Sequence, residues 1–174
     1  MDRTDTAPDP VDRIVGQWRA ERPDLSADAL GAMATFGRLG RLAAVVTPRI
    51  EKVFAQHGLT TGEFDVLAAL RRAGDGPLTP SGLARTLMLS PAAMTNRLDR
   101  LELAGLVTRR LDPANRRSML VTLTDAGRER VDTAVTAHVA HEERLLAALS
   151  PAERSLLDGI LRALLSSIED GSPG

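Results

Sequence analysis

The sequence predicts a mainly α-helical protein with one small β-hairpin set between helices. Three observations carry this. Apolar residues recur at helical spacing behind serine or threonine caps along most of the chain. Two cap-plus-proline starts, Thr79-Pro80 and Ser90-Pro91, lie only eleven residues apart. Between Leu106 and Leu123 the pattern changes from helical to extended.

The 174 residues suffice for one compact unit burying roughly 70% of its unfolded surface. Hydrophobic residues at 43% and charged residues at 26% are globular in proportion. The absence of cysteine removes disulfides, thiolate nucleophiles and cysteine-ligated zinc together. No run is expected to approach the ~18 apolar residues of a membrane span. The start of the chain (Met1, Asp2, Arg3, Asp5, Asp9) is polar and acidic, unlike a signal peptide. A cytoplasmic protein with no membrane partner is the expectation.

Residues 1–10, with two prolines and three aspartates, read as a disordered tail. Val11 to Arg19 fits a short helix with Ile14, Val15 and Trp18 on one side, interrupted at Arg22-Pro23. Ser26 caps a long helix carrying Leu30, Met33, Leu39, Leu42, Val46, Ile50 and Val53, and Pro48 should kink or break it near Thr47. His57-Gly58 ends that helix. Thr60 and Glu63 have capping-box spacing for the next, which runs to Ala73-Gly74. Thr79-Pro80 and Ser90-Pro91 then open two short helices separated by a tight turn. The second buries Met94, Leu98 and Leu101, leaving Ala92, Asn96, Asp99 and Arg100 outward and Ala93, Thr95 and Arg97 on the flanks.

Leu106 to Leu111 and Arg117 to Leu123 bracket Asp112-Pro113-Ala114-Asn115-Arg116, which predicts a hairpin with a basic tip. Thr124 caps a long helix through Leu149, and Ser150 with Glu153 opens another. The last helix carries Leu156, Leu157, Ile160, Leu161, Leu164, Leu165 and Ile168, a stripe too wide for one neighbour. Such a face points to a partner subunit.

The net charge of −1 conceals a strong asymmetry. Residues 1–30 carry −3, residues 31–70 carry +1, residues 71–130 carry +5 and residues 131–174 carry −4. A basic middle between acidic ends suits a module that binds nucleic acid, flanked by segments with another task.

Two short helices followed by a basic-tipped hairpin make a winged helix-turn-helix. Its second helix fits a major groove while the hairpin reaches phosphates or the minor groove. Candidate DNA contacts are Ser90, Ala92, Thr95, Asn96, Arg97 and Arg100 on the helix and Arg116 and Arg117 on the wing. Each has an alternative: Ser90 as a cap only, Asn96 as solvated surface, Arg116 or Arg117 as a partner of Asp112. The organisation that follows is a tail over 1–10, N-terminal helices over 11–57 for dimerisation and ligand binding, a winged helix-turn-helix over 58–127, and C-terminal dimerisation helices over 128–170. A two-fold homodimer would place two recognition helices ~34 Å apart, one turn of double-stranded DNA.

The run from Leu78 to Gly127, containing TPSGLARTL, SPAAMTNRLDRLELAGLVTRR and LDPANRRSMLVTLTDAG, resembles the MarR family of dimeric winged-helix transcriptional regulators. The likeness extends from about Ser26 to Ile168. It implies interlocked terminal helices and wing arginines near the minor groove. Asn115 stands where the family often has aspartate, which makes the wing tip more basic.

A narrower resemblance is to the urate-responsive, PecS-like branch. Trp18 in VGQWRAERPDL, Asp65 in EFDVLAAL, Arg97 in TNRLDR and Arg109 in LVTRR match its four marker residues. The resemblance implies that these four bind a small anionic ligand, urate or a related purine, with no cofactor. Asp65 and Arg109 are expected to pair in the free protein. The ligand would compete for Arg109, repel Asp65, meet Trp18 and draw Arg97 from the recognition helix, releasing a repressor from DNA. The alternative is that Trp18 is core and Asp65 serves the start of its own helix.

Two rival functions have a sequence basis. His138, His141 and Glu142 share a helical face and could begin a metal site, which would suggest an enzyme. A winged-helix scaffold binding protein instead of DNA is the other, and it predicts weak, salt-insensitive DNA association.

Overall fold

A computed structural model of the chain describes residues 7–74 and 76–171. Two compact units divide between Glu51 and Lys52.

The first unit contains helix α1 (Pro10–Glu21) and most of helix α2 (Ala27–Gln56). α1 begins inside the expected tail because Asp9 and Asp12 form a capping box that satisfies its first N–H groups. Residues 1–6 of that tail lie outside the described residues. Val11, Val15 and Leu30 form the core here, with Leu25 and Ala34 packed against it. Val15 is therefore on the inward stripe with Val11, whereas Ile14 and Trp18 are exposed on an adjoining one. The Arg38 guanidinium donates to Asp9 at 2.8 Å and Asp12 at 2.5 Å. This holds the Asp9 carboxyl down to about 2.

α2 runs unbroken through Pro48, so the break considered there does not occur. The Ser26 hydroxyl accepts from the Ala29 N–H at 3.1 Å, as a cap should. Contrary to the sequence expectation, α2 is long and apolar enough by length and composition to cross a membrane. An 18-residue stretch within it that has no more than two charges must include both Arg38 and Arg41. Arg38 is committed to ion pairs with two partly exposed carboxylates, an arrangement suited to water.

The second unit takes the end of α2 and then α3 (Thr61–Arg72), α4 (Pro80–Thr86), α5 (Pro91–Leu103), β1 (Val107–Leu111), β2 (Met119–Leu123), α6 (Asp125–Leu145) and α7 (Pro151–Asp170). Thr60, Thr79, Ser90, Thr124 and Ser150 are all N-caps, at the expected positions. Phe54 stacks on Phe64 with ring centroids 4.0 Å apart. Met94, Leu98 and Leu101 of α5 are each 1% exposed, which fixes which face of that helix turns outward. The turn between α4 and α5 contains Met88 at φ 51°, a left-handed conformation strained for a side chain of this kind.

β1 and β2 pair antiparallel from Val107 opposite Leu123 to Leu111 opposite Met119. Leu78 adds a short bridge to Val121 through two backbone hydrogen bonds of 3.1 and 2.8 Å. Gly105, at φ 70°, supplies the left-handed residue that turns α5 into β1. The Thr124 hydroxyl donates to the Gly105 carbonyl at 2.7 Å and its N–H to the Leu106 carbonyl at 3.1 Å. One turn on, a Cβ at Gly127 would lie 1.9 Å from the Leu106 carbonyl oxygen, so only glycine fits.

α6 stops at Leu145, short of the expected Leu149, and a turn leads into Ser150. Pro91 and Pro151 begin helices where their missing N–H costs nothing. α7 has no buried side chain, and Leu156, Ile160, Leu165 and Ile168 are all more than half exposed.

Candidate nucleic-acid interface

The exposed face of α5 presents Ala92, Thr95, Asn96 and Arg100, with Arg97 half-buried beside them. Ser90 accepts from the Ala93 N–H at 3.2 Å and so serves as the helix cap. The Thr95 hydroxyl donates to the Pro91 carbonyl at 3.0 Å. The two arginines have different fates. Arg100 keeps 60% of its side chain exposed while its Nε donates to Glu63 Oε1 at 2.9 Å. Arg97 turns inward onto the first turn of α3, where its Nη1 donates to the Gly62 carbonyl at 3.4 Å. A Cβ at Gly62 would come within 2.4 Å of the Arg97 guanidinium carbon, so the missing side chain makes that seat.

On the wing, Arg116 and Arg117 are exposed, and neither makes an ion pair among the described residues. The alternative in which Asp112 binds one of them is not realised. Asp112 instead accepts from the Ala114 N–H at 2.8 Å, and Asn115 accepts from the Arg117 N–H at 3.2 Å. The tip is shaped by turn hydrogen bonds, which leaves both guanidinium groups available.

The expected pair of Asp65 with Arg109 is not formed. Arg109 is held by Glu102, with its Nε 2.9 Å from Oε2, and by Asp99, 2.7 Å from its Nη1. The hydrogen bond to Glu102 raises the already high pKa of Arg109 and lowers that of Glu102. These two acids precede Arg109 by ten and seven residues, and the Gly105 turn brings the strand back to them.

Asp65 makes no ion pair among the described residues, and burial pushes its carboxyl pKa up. Arg97, Arg72 and His138 act in the opposite sense through their charge, Arg97 most strongly. The cap of α3 is Thr60 with Glu63, so Asp65 is not needed there. Arg97 and Asp65 therefore share one neighbourhood on α3, while Arg109 sits at the junction of α5 and β1. Trp18 belongs to the first unit, where it is 44% exposed next to Gln17 and Glu21. That exposure sets aside the alternative that it is core within its own unit.

His138 packs against Phe54 and Phe64, with centroid distances of 4.9 and 5.5 Å, and its Nε2 lies 3.2 Å from Glu142. No group of three or more metal-ligating side chains occurs among the described residues. Sequence reasoning missed Gly62 and Glu102 as site residues and read Glu63 as a cap only. No local signal marks them, since their partners come from other elements.

Known proteins resemble this chain in sequence and fold. The profile described as MarR family matches residues 57–118. The transcriptional regulator PecS of Dickeya dadantii (strain 3937) is 39% identical over 160 residues, spanning 91% of this chain and 92% of that protein. This chain belongs to the MarR family. A MarR variant from E. coli solved in complex with operator DNA superposes with a TM-score of 0.63 at 28% identity, covering 74% of this chain and 94% of that one. CouR from Rhodococcus jostii RHA1, bound to p-coumaroyl-CoA, gives 0.62 at 26% identity over 75% and 87%. As a MarR-family protein the chain is a transcriptional regulator and not an enzyme. Helices α4 and α5 with the β1-β2 hairpin are its winged helix-turn-helix.

Proposed function

We propose that this MarR-family regulator is a cytoplasmic repressor that binds a two-fold operator as a homodimer and leaves it when urate or a related purine binds. α5 enters the major groove, with Ser90, Ala92, Thr95, Asn96, Arg97 and Arg100 at the contact, and Arg116 and Arg117 of the wing approach the backbone or minor groove. The exposed apolar face of α7 supports pairing of two subunits.

The observation that carries the ligand response is the seat of Arg97. A recognition-helix arginine already leans on α3 near a half-buried Asp65 that makes no ion pair among the described residues. An anion held by Arg97 and Arg109 would raise the cost of the Asp65 charge and bias α5 away from its DNA-bound position. A coupling of about 1–3 kcal/mol would weaken DNA binding five- to about 150-fold. Gel-shift titrations with urate, xanthine and hypoxanthine should show release of bound DNA. Complexes unaffected by all three at millimolar concentration would refute the purine response.

A further inference from the structure

We infer that Glu63 is a positioning residue for DNA reading, aiming the Arg100 guanidinium from outside the recognition helix. The inference rests on the DNA-binding role proposed above. Glu63 divides its two oxygens between two tasks. Oε2 accepts from the Thr60 N–H and hydroxyl, both at 2.9 Å, which ties the carboxylate to the start of α3. Oε1 accepts from Arg100 Nε at 2.9 Å.

The two side chains differ in exposure, and the difference sets the direction of control. Glu63 is only 13% exposed, whereas Arg100 is 60% exposed. The anchored partner is thus the acid and the presented partner is the base. Burial pushes the Glu63 carboxyl up, but the Thr60 hydrogen bonds and the Arg100 charge outweigh it and leave it below its ordinary value, fully ionised at neutral pH.

Nε is the inner edge of the guanidinium. The Arg100 side chain makes no other hydrogen bond or ion pair among the described residues, so its two outer nitrogens remain open. These are the atoms that bind the O6 and N7 pair of guanine, or two phosphate oxygens, in a bidentate contact. A long arginine normally gives up rotamer freedom when it makes such a contact. Holding Nε in advance removes part of that loss and fixes the plane of the fork. Gly62, next to Glu63, holds Arg97 in the same turn of α3, so this turn governs both basic side chains of α5.

The test uses the full chain and a duplex that the wild-type protein selects from a random pool. Glu63→Gln is the probing variant, because glutamine keeps the capping box while losing the charge. Binding is measured to the selected duplex and to an unselected one, in wild-type and Arg100→Ala backgrounds. Glu63→Gln should weaken the selected duplex several-fold, leave the unselected one unchanged or slightly tighter, and have no effect once Arg100 is alanine. Equal weakening of both duplexes, or the same loss in the Arg100→Ala background, would assign Glu63 a purely structural role. Tighter binding to the selected duplex would make Glu63 a competitor of DNA and also overturn the inference. If the wild-type chain selects no duplex, the DNA-binding role fails, and this inference fails with it.

Discussion

Arg109 of β1 is clasped by Glu102 of α5: Nε lies 2.9 Å from one carboxylate oxygen while the Arg109 N–H donates to the other at 3.1 Å. This contact joins the wing to the recognition helix at the residue proposed to receive the ligand. Any anion seeking Arg109 must compete with an ion pair already in place. Glu102→Gln should therefore lower the urate concentration that releases half of the bound DNA. An unchanged or higher midpoint in the gel-shift titration would remove Arg109 from the ligand-binding set.

Asp65 gives a pH prediction with a definite sign. Burial raises its folded pKa above the ordinary 3.8, so the folded chain holds the proton more tightly than the unfolded chain. Stability must then fall as pH rises from about 4 through the raised folded value, and stay reduced above it. Asp65→Asn should melt higher than wild type at pH 7, with the advantage shrinking toward pH 4. Thermal melts at the two pH values check this, and an advantage that grows on acidification would contradict it.

The wing arginines lack ion-pair partners among the described residues, so their charge is available to phosphate. Arg116→Ala should weaken binding to duplexes of different sequence by similar factors. It should also flatten the dependence of log K on log salt concentration by about 0.9 if one phosphate contact is lost. Fluorescence anisotropy across a salt series measures both quantities. An undiminished slope would take Arg116 off the backbone.

Ile160 stands 56% exposed in the apolar face of α7, where a charge would be tolerated by an isolated subunit and resisted by an interface. Ile160→Glu should shift the particle mass from about twice 18.6 kDa to 18.6 kDa, measured by light scattering after size exclusion. A wild-type chain that is already monomeric, or an Ile160→Glu chain that stays paired, would remove α7 from the interface.

Caps and apolar spacing were legible because they act within one turn of the chain. Thr60, Thr79, Ser90, Thr124 and Ser150 all cap helices, and the inward face of α5 is Met94, Leu98 and Leu101 as its spacing requires. The partner of Arg109 was not legible. Asp65 and Glu102 are both acids with suitable chemistry, and the choice depends on how the Gly105 turn returns β1 to α5. Glu63 illustrates the same limit, since its capping role is visible locally while Arg100 lies 37 residues further on. Pro48 failed as a helix breaker because losing one hydrogen bond in a 30-residue helix leaves the other turns to continue it. The end of α6 carries no glycine to announce it.

The backbone contact at Gly127 gives the dimer proposed above a mechanical property. With the Leu106 carbonyl directly against the first turn of α6, no side chain cushions that joint. α6, at 21 residues, is about 31 Å long. It can act as a stiff arm, and a tilt of about 10° about its far end would carry the wing end about 5 Å. In such a dimer the distance between two reading heads would be tuned by angle rather than by local rearrangement. Small repacking where the subunits meet would then become a misfit with the pitch of DNA.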